Sequence, residues 1–279
     1  MIKNTHKQHP NVVDFGKRLA KLGFSKETID GYTYAVGLMF SVVGVDVSQS
    51  KIVKYKEWLV SQGLKPAAVN SRLSGVNKYC EFIGKPGWKV KQVKLQQKSF
   101  VDNVISETDY ESLKACLLRD GNKRWFFLVW TLAATGARIS EFLQMKAEHV
   151  FKGYFDMYGK GGKMRRVYFP KTLRVEFQQY LRDEKIETGS IWKNRYGNVL
   201  TSRGVATMLK KMADKYGIDR SVMHPHGFRH FYAKQFLKRS QDIVFLADLM
   251  GHDSLDTTRI YLRKTAAEQA AEVDRIITW

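Results

Sequence analysis

The sequence predicts two domains: an all-α domain over residues 1–98 and a mixed α/β domain over 99–279, mostly helical with one small antiparallel sheet. Three observations carry this. Apolar residues recur at three- and four-residue spacing through residues 10–82, the period of a helix buried along one side. Residues 84–98, GKPGWKVKQVKLQQK, then break the pattern with five lysines, a proline, two glycines and no acid, as a connection between domains does. Beyond them the text is helical again except at 149–169, where alternation around GKGGK marks a hairpin.

In the first domain, Val12, Val13, Phe15 and Leu19 mark a helix over about residues 10–22, stopped by Gly23. Ser25 caps a second helix, with Tyr32, Val36, Met39 and Phe40 at helical spacing. Ser48 or Ser50 starts a third through Ile52, Tyr55, Trp58 and Leu59, stopped by Gly63. Pro66 suits the first position of a fourth, whose stripe is Val69, Leu73, Val76, Tyr79 and Phe82 and whose end is Gly84. The opposite face of this helix is polar: Asn70, Ser71, Arg72, Ser74, Asn77 and Lys78.

The second domain opens with Ser106-Glu-Thr-Asp109, a helix N-terminus with acids in its first turn. A helix to Arg119 is followed by an apolar one over 123–134. Arg138 stands just past Gly136 at a new helix start, and Glu141 shares its face. Tyr154, Phe155 and Met157 precede the GKGGK turn, and Arg166, Val167, Tyr168 and Phe169 follow it. The glycines allow a tight tip carrying Lys160 and Lys163; joined to two strands, it is not a Walker loop. Helices are expected at about 171–183 and 201–216, with an irregular excursion from Trp192 to Leu200 between them. Three more fall within 226–262, and a last one at about 265–276.

Charge narrows the function. The chain has 279 residues, a formal net charge of +20 and a pI near 9.8. Such an excess of one sign favours a polyanion, most often nucleic acid. Residues 1–99 hold 17 Lys and Arg against 6 Asp and Glu, and residues 100–279 hold 30 against 21. Both domains are therefore expected to touch it. The candidate contacts are Arg72, Asn77 and Lys78 on the fourth helix, Lys85, Lys89, Lys91, Lys94 and Lys98 in the basic connection, and Lys163 at the hairpin tip. Cys80 and Cys116 sit in apolar helical text and read as buried thiols of a reducing compartment. No Cys/His cluster has zinc-ligand spacing. The N-terminus lacks the apolar core of a signal peptide, and the longest apolar run, Trp125 to Ala134, is too short to span a bilayer. A soluble cytoplasmic, nucleoid-associated protein is expected.

The chemistry concentrates between His224 and Tyr261. His226 and Arg229 are three apart on one helix face, His252 directly follows Gly251, and Tyr261 lies nine residues further on. A lone H-x-x-R, Gly-His or late Tyr means little; all three at these spacings, with Arg138 upstream, do not arise by composition. His226-Gly-Phe-Arg229-His230, Leu249-Met-Gly-His252 and Thr257-Thr-Arg-Ile-Tyr261 resemble the C-terminal signature of the tyrosine recombinases, the phage integrase family. Thr135-Gly136-Ala137-Arg138-Ile139-Ser140-Glu141-Phe142 resembles the family's upstream arginine motif, with Phe142 where Leu is usual, and Gly159-Lys160-Gly161-Gly162-Lys163 its hairpin lysine. The resemblance covers residues from about 100 to 279; the N-terminal third fits in its helical pattern.

The resemblance implies a SAM-like core-binding domain followed by a tyrosine recombinase catalytic domain. Arg138 and Arg229 then offer forked donors to phosphate oxygens, His252 adds a third, and Glu141 supports them. Tyr261 attacks phosphorus, His226 takes its proton, and Lys160 protonates the leaving 5′-oxygen. Neither metal nor cofactor is implied, because the bond energy is kept in a 3′-phosphotyrosine. The partners implied are a duplex site of paired half-sites, a tetramer of this chain on DNA and an accessory DNA-bending factor. A compact mobile-element integrase is preferred to a Xer-like chromosome or plasmid dimer resolvase. A type IB topoisomerase and a non-catalytic DNA-binding regulator are the alternatives.

Overall fold

The computed structural model describes residues 6, 8–94, 104–158, 164–252, 254–262 and 273–279. The chain divides into two compact units, 1–97 and 98–279. Among the described residues no helix is long and apolar enough to cross a membrane.

The first unit is built from α1 (Pro10–Lys21), α2 (Lys26–Val43), α3 (Gln49–Ser61) and α4 (Pro66–Phe82). Ser25 and Ser48 cap α2 and α3 through their hydroxyls, and Pro66 opens α4. The apolar stripes meet in one core of Phe15, Phe40, Tyr55, Leu73 and Tyr79 with their aliphatic neighbours. The basic segment does not run free at its start. After a 3-10 turn at Pro86–Trp88 it folds back along α4, with Trp88, Val90 and Val93 against the core. Asn70 and Asn77 each donate to and accept from one residue of it, Val93 and Val90, at 2.9 Å in all four bonds. The spacing explains the match: seven residues of helix and three of extended chain both advance about 10 Å. The side-chain amide of Asn77 thus holds Val90 through both its oxygen and its nitrogen. Lys78 and Lys89 both pair with Glu81, at 2.6 and 2.5 Å. Lys85, Lys91 and Lys94 are exposed. Lys98 lies outside the described residues.

The second unit is mostly helical with a two-stranded antiparallel sheet. Its order is α5 (Glu107–Arg119), α6 (Lys123–Thr135), α7 (Ile139–Phe142), α8 (Ala147–Lys152), β1 (Tyr154–Tyr158), β2 (Met164–Tyr168), α9 (Lys171–Asp183), α10 (Ser202–Tyr216), α11 (Pro225–Ser240), α12 (Ile243–Met250) and α13 (Leu255–Arg259), then a 3-10 turn at Ile260–Leu262. Residues 149–152 are helix rather than strand, because α8 runs up to Gly153, whose φ of 91° turns the chain into β1. The strands pair Tyr154 with Tyr168 and Tyr158 with Met164, so residues 159–163 connect them. Asp156 and Arg166 face each other in this register and form two bonds of 2.7 and 3.0 Å. Trp192 is fully buried, stacked on Phe142 with centroids 4.5 Å apart, so the excursion after α9 contributes to the core. Cys80 is buried, but Cys116 is only half so, since it sits beside the Leu113–Leu117 stripe of α5 rather than on it.

Candidate active site

Two left-handed glycines place the carbonyls that gather the arginines. Gly136 ends α6 at φ 58° and Gly251 ends α12 at φ 59°. A Cβ on Gly136 would strike the Tyr232 ring, and one on Gly251 the Arg165 side chain. Arg229, on α11, donates from Nη1 to the Gly136 carbonyl (2.5 Å) and from Nη2 to the Met250 carbonyl (2.7 Å). Arg138, the residue before α7, donates from Nη2 to the Gly251 carbonyl (2.9 Å). Both guanidiniums thereby sit at the negative ends of α6 and α12, where unpaired carbonyls welcome cations.

Glu141 ties this set to the sheet. Its carboxylate accepts from the Arg138 backbone (2.8 Å), from Arg138 Nη1 (2.9 Å), and from Arg165 Nη1 through both oxygens (2.7 and 3.0 Å). Arg165 also donates from Nε to the Leu249 carbonyl (2.8 Å). One half-buried arginine therefore connects β2, α7 and the end of α12. Burial opposes the charge on Glu141, yet Arg165 and Arg138 outweigh it and hold the carboxyl below its usual range. Arg229 is 2% exposed. Burial, then Arg138 and Arg165, push its pKa down to about 10, so it stays charged at neutral pH. Three guanidiniums around one carboxylate leave an excess of positive charge that an anion would relieve.

The imidazoles of His226, His230 and His252 are disfavoured as cations. Burial, then Arg229, Arg138 and Arg165, lower His252 to about 4. Arg229 Nη2 stands 3.0 Å from His252 Nε2, and Thr258 Oγ1 stands 2.7 Å from Nδ1. Arginine only donates, so Nε2 accepts, and the ring carries its proton on Nδ1 toward Thr258. Burial and then His226 lower His230 to about 3, and its Nδ1 is 2.8 Å from the Tyr261 hydroxyl. Tyr261 is 7% exposed, packed among Ala233, Leu237, Leu246 and Met250. Burial raises its pKa, with Arg229 and Arg138 pulling the other way.

The structure thus brings Arg138, Glu141, Arg229, His252 and Tyr261 into one locality, and places His226 on the same α11 face as His230, with ring centroids 4.1 Å apart. Among the described residues the bond to the Tyr261 hydroxyl comes from His230, one turn beyond the expected His226. Lys160 and Lys163 lie outside the described residues. Arg165, His230 and Thr258 carry no role in the sequence reading. Strand alternation could have found Arg165, which shares the inward parity of buried Val167. Among the described residues no group of His, Cys, Asp and Glu is arranged to hold a metal.

The family model described as "Phage integrase family" matches residues 103–268. "Tyrosine recombinase XerA" of Pyrococcus furiosus is 28% identical over 270 residues, covering 94% of this chain and 92% of that protein. The Tn1549 transposon integrase, solved in complex with circular intermediate DNA, shares the fold at a TM-score of 0.72 and 15% identity, over 96% of this chain and 99% of that one. A lambda integrase tetramer bound to a Holliday junction aligns at a TM-score of 0.68 and 16% identity, over 93% of this chain and 79% of that one.

Proposed function

This chain belongs to the phage integrase family and is a site-specific DNA recombinase of the tyrosine class, and we propose that it cuts and rejoins strands through a 3′-phosphotyrosine at Tyr261. The observation that carries this is the gathering of Arg138, Arg229, His252 and Tyr261 about a region of uncompensated positive charge. Arg138 and Arg229 bind the non-bridging oxygens of the scissile phosphate, where charge builds in the transition state. His252 becomes the third donor when Arg229 turns to the phosphate and the ring proton moves to Nε2, with Thr258 then donating to Nδ1. Lys160 protonates the leaving 5′-oxygen, and His226 completes the set on α11. No metal or cofactor enters, because the displaced phosphodiester bond is kept as a phosphotyrosine that a second 5′-hydroxyl reopens.

The first unit acts as a SAM-like core-binding domain. Arg72 and Lys78, the exposed lysines Lys85, Lys89, Lys91 and Lys94, and Lys98 and Lys163 meet backbone phosphates. Four copies assemble on two duplex sites, as the lambda integrase tetramer does on its junction, with an accessory DNA-bending protein as a further partner in the cytoplasm. The likeness to the Tn1549 integrase supports integration of a mobile element. The XerA relative, which matches over nearly its whole length, supports dimer resolution as a second reading. Incubation with the DNA flanking its own gene tests both: covalent ends at one paired site there, and recombination between two copies of it, are expected. Relaxation of supercoils with no preferred site would refute site specificity.

A further inference from the structure

We infer that His230, rather than His226, is the catalytic base that takes the proton from Tyr261. This rests on the recombinase reading, and it assigns a further catalytic residue to the same site.

The geometry carries it. His230 Nδ1 is 2.8 Å from the hydroxyl that attacks phosphorus. His226 lies one turn earlier on α11 and meets the His230 ring at 4.1 Å between centroids; among the described residues the hydrogen bond to the phenol is that of His230. A base must first lie within hydrogen-bond reach of its proton. The neutral phenol is the donor of this bond and the neutral imidazole the acceptor, since burial disfavours the imidazolium. Among the described residues, the charged and titratable groups that face His230 are His224, His226, Arg229 and Lys234 along α11 and Tyr261 from the 3-10 turn. All those that bear positive charge weaken it as a base. A bound phosphate offsets Arg229, raising the basicity of His230 when substrate is in place. The step balances: the Tyr261 O–H bond breaks and its proton passes to Nδ1, the phenolic oxygen bonds to phosphorus, the P–O5′ bond breaks, and O5′ takes a proton from Lys160.

The test is single-turnover formation of the covalent adduct, using the full chain and a nicked duplex that carries the cleavage site mapped in the flanking DNA. His230→Ala should slow adduct formation by about a hundredfold or more, as loss of a general base does, with DNA binding unchanged in a gel shift. Added imidazoles should restore the rate, more so the more basic they are. His230→Asn keeps a hydrogen-bond acceptor near Nδ1 and the packing of the ring, but cannot take a proton, and should remain as slow. Wild-type rate in His230→Asn would overturn the inference by reducing the residue to a positioning group. A faster His230→Ala would overturn it by showing that the bond restrains the nucleophile. If unsubstituted protein forms no adduct, the recombinase reading itself fails; if it does and His230→Ala matches it, only the role of His230 fails.

Discussion

At the scale of single residues, the site is a balance between charge that the fold concentrates and protons that it refuses. Tyr261→Phe removes the proposed nucleophile but none of the phosphate contacts that dominate affinity. It should abolish cleavage while leaving the gel shift intact; adducts on a nicked substrate would refute the assignment. Lys160→Ala should slow cleavage of an ordinary 5′-oxygen and be rescued by a 5′-bridging phosphorothiolate, which leaves without a proton. Rescue of Lys163→Ala instead would identify the other hairpin lysine. The histidines also set an acid limit. Unfolded histidine takes its proton near pH 6.5, whereas His252 does so at about 4 and His230 at about 3. Between these values the unfolded chain binds more protons, so stability falls as pH drops from about 6.5 toward 4. Glu141, held below its ordinary range, acts in the same direction. Thermal melts should show a lower Tm at about pH 5 than at neutrality, and His252→Asn should flatten that loss; equal slopes would show that His252 titrates normally.

At the scale of elements, two devices hold the machinery: the Arg165 junction and the paired asparagines of α4. Glu141 is buried, and the Arg165 side chain that pairs with it is 9% exposed. Removing one partner of a buried pair costs about 3–5 kcal/mol. Arg165→Ala should therefore lower Tm by several degrees and disorder the junction of β2, α7 and α12; an unchanged Tm would contradict this role. Asn70→Ala with Asn77→Ala removes the four bonds to Val90 and Val93, and trypsin should then cut sooner at Lys89, Lys91 or Lys94. Unchanged cleavage would mean that apolar packing alone holds the segment. The helices were legible because Ser25, Ser48, Pro66 and Ser106 announce their starts and the stripes repeat every turn. The site residues were legible because nearest neighbours in sequence set their spacing. What the sequence hid is tertiary pairing. Nothing local to Asn77 announces Val90 as its partner. Trp192 looks like loop until Phe142 is placed against it, and His230 looks incidental until Tyr261 is brought 31 positions back to it.

At the scale of the whole molecule, the basic excess and the C-terminal segment concern assembly on DNA. Neutralising Lys85, Lys89, Lys91, Lys94 and Lys98 should reduce the salt dependence of binding by up to about 0.9 in log–log slope for each phosphate no longer neutralised. An unchanged slope would mean that these lysines point away from DNA. Val273, Ile276, Ile277 and Trp279 are exposed around the helical turn at 273–276; the earlier part of the helix expected at about 265–276 lies outside the described residues. Such an apolar face calls for docking, either on its own catalytic domain or on a neighbouring copy in a closed ring. Deleting residues 265–279 should spare single-site binding and remove synapsis and recombination, whereas full recombination would refute that role. Every step of the proposed reaction depends on covalent chemistry at Tyr261, and peptide mapping of the adduct trapped on a nicked site in the presence of chelator decides it. The expected product is a nucleotide linked through its 3′-phosphate to Tyr261, with a free 5′-hydroxyl on the released strand. Linkage to another residue, a 5′-phosphotyrosine, or an adduct that forms only with metal would contradict it.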